Sequence, residues 1–300
     1  MAQYHILVDP AAIESPPVVR RIGFHDLEDA LVRGFDDFMA MPSHALFLCV
    51  IYPVVGVVLG AMTFGAGQIS LLYPLAAGFA LLGPLAAIGL YDLSRQRERG
   101  QRVDFSRAFE IVHHPSFGAI AVLGLLLTVI FFLWLGTAQW IYVANFGRAP
   151  ITSFSDFAHQ ILTTPKGWRV IILGNAAGFL FALVVLTISV VSFPLLLDRD
   201  VGAVEAVMTS YRAVRANPIV MAAWGLIVAI ALLIGSLPFL VGLAVVLPVL
   251  GHATWHLYRK VVEPDLRPRQ QDDPRPPAPK KRRRYAAQFP ASLIAGDKNT

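Results

Sequence analysis

The sequence predicts an all-α membrane protein with six transmembrane helices, and three observations carry that expectation. Of its 300 residues 56% are hydrophobic and 15% charged, with mean hydropathy +0.59, which is too apolar for an ordinary soluble domain. Six stretches reach the roughly 20 apolar residues that a hydrocarbon core of about 30 Å requires, and none carries a charge in its central part. Basic residues also segregate to alternate connections, as orientation in a membrane demands.

Residues 1–20 hold prolines and no hydrophobic period, which predicts a flexible N-terminal arm. They lack the basic start and apolar run of a cleaved signal peptide, so insertion is expected through the first span. The membrane domain is expected over 21–263. Its first element begins at Asp26, where Leu27, Leu31, Phe35 and Phe38 recur at helical spacing with acids between them. This predicts an amphipathic helix with Asp26 as its cap, ending near Pro42. The spans follow at about 45–64, 69–91, 117–143, 168–195, 219–237 and 239–258. Only Gly235-Ser-Leu-Pro238 separates the last two. Read as a single helix, Ile219–Tyr258 would be about 60 Å long, twice the membrane core, so two spans and a tight turn are expected.

Two more amphipathic stripes precede spans. Phe105, Phe109 and Val112 lead to Pro115, and Val204, Met208, Tyr211 and Arg215 lead to Pro218. The interval from Ala30 to Pro42 equals that from Ala206 to Pro218. The chain therefore reads as three repeats of an amphipathic helix plus a two-span hairpin. The alternative is three unrelated helices, each lying at the interface with its apolar face in lipid. Between Asn145 and Lys166, Phe154, Phe157 and Ile161 suggest a short interfacial helix. Trp134, Trp140, Tyr142, Trp168, Trp224, Trp255 and Tyr258 are placed in the aromatic belts at the lipid boundary. Beyond Glu263 the composition turns to Pro, Arg, Gln and Asp, so 264–300 is expected to be a disordered basic tail.

Charge sets the orientation. If the N-terminus, residues 92–116, residues 196–217 and the C-terminus face the cytoplasm, all of the 25 Lys and Arg lie there except Arg148, Lys166 and Arg169. The expected localisation is a bacterial inner membrane, with both termini cytoplasmic. The formal net charge of +5 resides wholly in Asp265–Thr300. The lone Cys49 falls in the first span and reads as a packing residue.

The segment Gly251-His-Ala-Thr-Trp-His-Leu-Tyr-Arg259 closes the last span. With Ser192–Asp200, Ser210–Pro218 and Leu247-Pro-Val-Leu250, it resembles a bacterial family of predicted integral membrane proteins of unknown function. Some members of that family carry a cytochrome c oxidase subunit label. The resemblance runs from about Arg21 to Val262 and implies a polytopic inner-membrane protein without implying an activity. A catalytic oxidase subunit needs more spans and more histidine ligands than this chain offers.

His252 and His256 stand one helical turn apart, on one face, and are the first candidates for a metal or haem site. No glutamate follows the first histidine as in a zinc hydrolase. His44, His113 and His114 also fall at cytoplasmic span ends and could complete a ligand set. The plainer reading is local polar structure. Asp198, Arg199 and Asp200 follow the fourth span and are expected to form structural ion pairs, with Arg212, Arg215 or the His252 edge as partners. Charges at a span exit are cheap, whereas those at the bilayer centre are costly and usually functional. Lys280, Lys281, Arg282, Arg283 and Arg284 form a cluster suited to anionic phospholipid; nucleic acid is not expected.

No phosphate loop, nucleotide fingerprint, CxxC pair or serine elbow is present, so enzyme chemistry has no visible residues and no cofactor is the leading expectation. Three function classes remain. The first is a non-enzymatic scaffold or assembly factor, with membrane-protein partners or further copies of itself. A small-solute transporter or channel is the second, and a haem or divalent-metal protein using the cytoplasmic-side histidines is the third.

Overall fold

A computed structural model describes residues 16–41, 61, 69–101, 103, 115–148, 153–237 and 240–264. The expected first span, the stripe at Phe105, Phe109 and Val112, Cys49, His44, His113, His114 and the Lys280–Arg284 cluster lie outside the described residues. The chain divides between Glu263 and Pro264, and the architecture below belongs to the first unit.

Regular structure among the described residues is helical, apart from one antiparallel bridge between Val19 and Val262. Helix α1 spans Phe24–Ala40. Its N-cap is Gly23, whose N–H donates to Asp26 Oδ2 at 2.9 Å. Asp26 therefore serves in the first turn, where its charge suits the helix dipole, and is not the cap itself. The buried face of α1 is Leu27, Ala30, Gly34 and Asp37. Of the stripe Leu27, Leu31, Phe35 and Phe38, only Leu27 is fully buried, because the small side chains of Ala30 and Gly34 let a neighbouring backbone come closer than large ones allow.

One long stretch then runs from Ile69 to Glu98. It comprises a 3₁₀ turn, α2 (Leu72–Phe79), a second 3₁₀ turn at Ala80–Leu82, α3 (Gly83–Ala86) and α4 (Ile88–Glu98). The tightening falls just before Pro84, which lacks an N–H for the preceding turn and crowds its carbonyl. Helix α5, Phe117–Phe146, stops at Gly147 with φ +79°. The helix expected between Asn145 and Lys166 is α6, Phe154–Thr163, capped by Ser153, whose hydroxyl accepts the Asp156 N–H. Thr164 caps α7, Pro165–Ser189, which carries Pro165 at its start, where a missing N–H costs nothing. Helices α8 (Ser192–Asp198), α9 (Ala203–Ala216), α10 (Pro218–Ser236) and α11 (Leu243–Val261) complete the unit.

Among the described residues, four stretches are long and apolar enough to cross a membrane: Ile69–Glu98, Phe117–Phe146, Pro165–Asp198 and Pro218–Ser236. The sixth expected span does not join them, because α11 begins at Leu243 and carries His252, His256, Arg259 and Lys260 in its second half. The separation of α10 from α11 does hold. The chain turns at Leu240, with φ +66°, and a Cβ on Gly242 would stand 2.7 Å from the Gly235 carbonyl oxygen. The two helices therefore pack as a hairpin.

The aromatic belt is narrower than expected. Trp140 and Trp168 are exposed, but Trp134, Trp224, Trp255 and Tyr258 lie in the core. The Trp134 indole donates to the Pro74 carbonyl at 2.8 Å and packs against Phe181. Far from α1, Tyr73 donates to Asn175 at 2.9 Å and Ser70 meets Gln139 at 3.4 Å. Val18 to Arg20, expected within the N-terminal arm, pair with the end of α11. Arg20 N–H donates to the Val261 carbonyl and Glu263 N–H to that of Val18, which pins the first described residues to the last.

Candidate functional site

The polar side chains gather at the end of the bundle where α1, the ends of α4 and α8, and the second half of α11 meet. Close approach makes this possible. A Cβ on Gly34 would fall 2.5 Å from the Ala253 backbone nitrogen, and one on Gly251 would fall 2.5 Å from Leu90 Cδ1. Glycine at these two positions brings α1 and α4 onto α11.

Asp37 is the first hub. Its Oδ2 accepts from Ser94 Oγ at 2.6 Å and from His256 Nε2 at 2.8 Å, while Arg97 donates to Oδ1. Burial alone would push this carboxyl up. The hydrogen bonds from His256 and Ser94, the His256 charge and Arg97 more than offset it, holding the group at about 2 against an ordinary 3.8. An ionised carboxylate only accepts, so the Ser94 proton points at Asp37. Ser94 Oγ must then accept from His252 Nδ1, 2.7 Å away. Nδ1 is therefore the protonated nitrogen of His252, and its Nε2 is buried with no hydrogen-bond partner among the described residues.

Asp198 is the second hub. Tyr258 donates to it at 2.8 Å, Arg259 at 3.4 Å and Arg99 at 3.5 Å. Arg259 also donates to Glu98 at 2.9 Å, and the Trp255 indole donates to the same carboxylate at 3.0 Å. Arg95 pairs with Asp92 at 2.6 Å and reaches the Leu197 carbonyl, while Arg199 reaches that of Glu263. Nearby, Asn217 accepts from the Ile22 N–H at 2.8 Å and donates to the Arg20 carbonyl at 3.0 Å.

The structure thus brings His252, His256, Asp198 and Arg199 to one end, with partners other than those expected. Asp198 binds Arg99 and Arg259, whereas Arg212 pairs with Glu205 on its own helix. Neither Asp200 nor Arg215 forms an ion pair with a described residue. Asp37, Ser94, Arg95, Arg97, Glu98 and Arg99 were not singled out in the sequence. A signal for part of this set exists in the runs Leu93-Ser94-Arg95, Leu197-Asp198-Arg199 and Leu257-Tyr258-Arg259. The leucine and the central residue of each run are buried.

The chemistry open to this end is limited. Serine, histidine and aspartate are present, but Ser94 sits between the other two and gives its proton to the carboxylate. A catalytic serine instead gives its proton to histidine, and the burial of Ser94 and His252 keeps substrate away. Among the described residues, no group of three or more His, Cys, Asp or Glu is arranged to hold a metal ion. Most polar atoms here are spent on one another.

A family model described as "Predicted integral membrane protein (DUF2189)" matches residues 72–198. The match ends before Ser210–Pro218, Leu247–Leu250 and Gly251–Arg259. No curated protein and no solved structure matches the chain.

Proposed function

We propose that this integral membrane protein is a non-enzymatic scaffold, built from three units whose ends are tied into a ring at the cytoplasmic face. The single observation that carries this reading is the cyclic order of the three Leu-X-Arg arginines. Arg95 of the first unit reaches Leu197 of the second, Arg199 of the second reaches Glu263 of the third, and Arg259 of the third reaches Glu98 of the first. Asp198, Asp37 and Glu98 cross-brace the same ring. A catalyst or carrier keeps polar groups free for a substrate, whereas here they are consumed in fixing helices to helices.

The units themselves are supported by α1 and α9. Leu27, Ala30, Gly34, Asp37 and Met41 are buried, and so are Ala203, Ala206, Ser210, Ala213 and Asn217 at the same intervals. Met41 and Asn217 close the two helices with nearly the same backbone angles (φ −134°, ψ 41° and φ −132°, ψ 51°), each before a proline. Each helix also packs on the last membrane segment of the preceding unit, α1 on α11 and α9 on α7 and α8. Six spans accord with the polar end, because Arg20, Asp37, Glu98, Asp198, Asn217 and Arg259 all meet there. The positive-inside rule assigns that end to the cytoplasm.

The test is genetic and biochemical. Deletion of the gene is expected to change the set of high-mass membrane complexes on native gels, and the full-length chain to restore it. Unchanged complexes together with an intact envelope would sink the scaffold role. Two observations favour other readings. The unpartnered His252 Nε2 suits a haem or metal ligand, a reading that ends if protein purified from replete medium shows no Soret band and no metal. The interrupted stretch Ile69–Glu98 suits a transporter, since broken helices line sites in such proteins. That reading ends if reconstituted vesicles show no flux across a broad solute panel.

A further inference from the structure

We infer that α1 and α9 are three-faced helices whose outer stripes lie in the interfacial zone of the lipid bilayer. A helix beside a soluble bundle needs two faces, one for the core and one for water. These two helices have three. On α1 the core face is Leu27, Ala30, Gly34 and Asp37; the charged face is Asp26 and Asp29, which pair with Lys260 of α11, and the exposed Arg33 and Asp36, which meet water. Between them runs an apolar stripe with Val32 54%, Phe35 50% and Met39 60% exposed. On α9 the core face is Ala203, Ala206, Ser210 and Ala213, and the water face holds Glu205 and Arg212. Its stripe is again exposed, with Val204 at 51%, Met208 at 46% and Tyr211 at 44%.

The stripes coincide at two helical positions. Val32 corresponds to Met208 and Phe35 to Tyr211, counting back from Met41 and Asn217. Each helix is followed, after one non-helical residue, by a proline that begins or precedes membrane-spanning sequence, so neither can stand far from the bilayer. A helix with one apolar and one charged face settles in the plane of the headgroup boundary, and a core face adds docking to the bundle. The charges within the stripes, Glu28 and Arg215, stand on side chains long enough to reach outward.

Repetition identifies the occupant as lipid. A protein partner selects one patch, but a bilayer meets the ring on every side and selects the same stripe at each position. A third apolar run before a proline stands in the sequence at Phe105, Phe109 and Val112. This inference rests on the membrane-spanning reading and not on the scaffold role, so the two can fail separately.

Nitroxide scanning tests it. In a Cys49→Ser background, the full chain is labelled singly at Phe35→Cys, Met39→Cys, Met208→Cys and Tyr211→Cys, with Asp36→Cys and Arg212→Cys as water-face references. Each protein is reconstituted in phosphatidylcholine–phosphatidylglycerol vesicles, and contact with oxygen is compared with contact with a nickel chelate. Lipid insertion gives oxygen contact several-fold above nickel contact at the stripe positions of both helices, and the reverse at both references. Stripe positions that favour nickel would place the helices in water. Positions closed to both reagents would put a second copy or another protein on the stripe. Either outcome overturns the inference, and two positions per helix keep one poorly folded variant from deciding it.

Discussion

Replacing Gly34 with alanine separates the close-packing argument from ordinary helix propensity, because the two predict opposite signs. In an exposed helix interior, Gly→Ala stabilises by about 1 kcal/mol. At Gly34 the new methyl would stand 2.5 Å from the Ala253 nitrogen and 2.7 Å from both its Cα and Cβ. Two of these are backbone atoms, so no rotamer change relieves the clash, and α1 must retreat by about 1 Å to reach ordinary contact. Asp37 lies one turn further along the same helix. A retreat of that size takes its 2.6 Å bond from Ser94 and its 2.8 Å bond from His256 beyond good hydrogen-bond length. Overpacking costs about 1–3 kcal/mol, and each weakened bond to the buried charge costs on the order of 1–2 kcal/mol. After the propensity gain, the expected loss is about 2–6 kcal/mol. The assay is reversible unfolding of the full chain in mixed detergent micelles. Gly174→Ala serves as reference, because no atom lies within 4 Å of its new methyl, and it should be neutral or up to about 1 kcal/mol more stable. A G34A protein as stable as the parent would refute the close approach of α1 and α11.

Other perturbations of the same end have graded expectations. Gly251→Ala meets the movable tip of Leu90 at 2.5 Å and should cost only about 1 kcal/mol, clearly less than Gly34→Ala in the same unfolding assay. Asp37 is held at about 2 against 3.8; because folding favours its ionised form, it contributes about 2 kcal/mol at pH values above about 4, lost as the pH falls toward 2. Asp37→Asn should flatten that acid limb of the stability profile, and an unchanged limb would remove the hub. Tyr258→Phe deletes one donor to buried Asp198 and should cost about 1–2 kcal/mol. Arg259→Ala removes contacts to both Asp198 and Glu98 and should cost more, measured by the same denaturation; the reverse order would mean that the ring is not braced at Arg259.

The membrane class was legible because hydropathy is a sum over long windows, and no single neighbour can overturn it. What the sequence concealed was which face of α1 meets the protein. Leu31, Phe35 and Phe38 look like a core stripe because large apolar side chains usually mark burial. A membrane protein has a second apolar environment, and there large side chains can face lipid while small ones face protein. Ala30-x-x-x-Gly34 and Ala206-x-x-x-Ser210 carried that information, as small residues one turn apart on helices outside the spans. The histidine pair hid its main partner for a related reason. His252 and His256 do share a face, but the group they converge on is Asp37, more than two hundred positions away. Spacing along one helix says nothing about what the opposing helix presents, and here it presents a carboxylate that already has Ser94 and Arg97. The Leu-X-Arg runs could have been found beforehand, since they recur at the ends of the second, fourth and sixth expected spans. Their meaning could not, because each arginine bonds outside its own unit, and the cyclic order exists only once the three units have closed on one another.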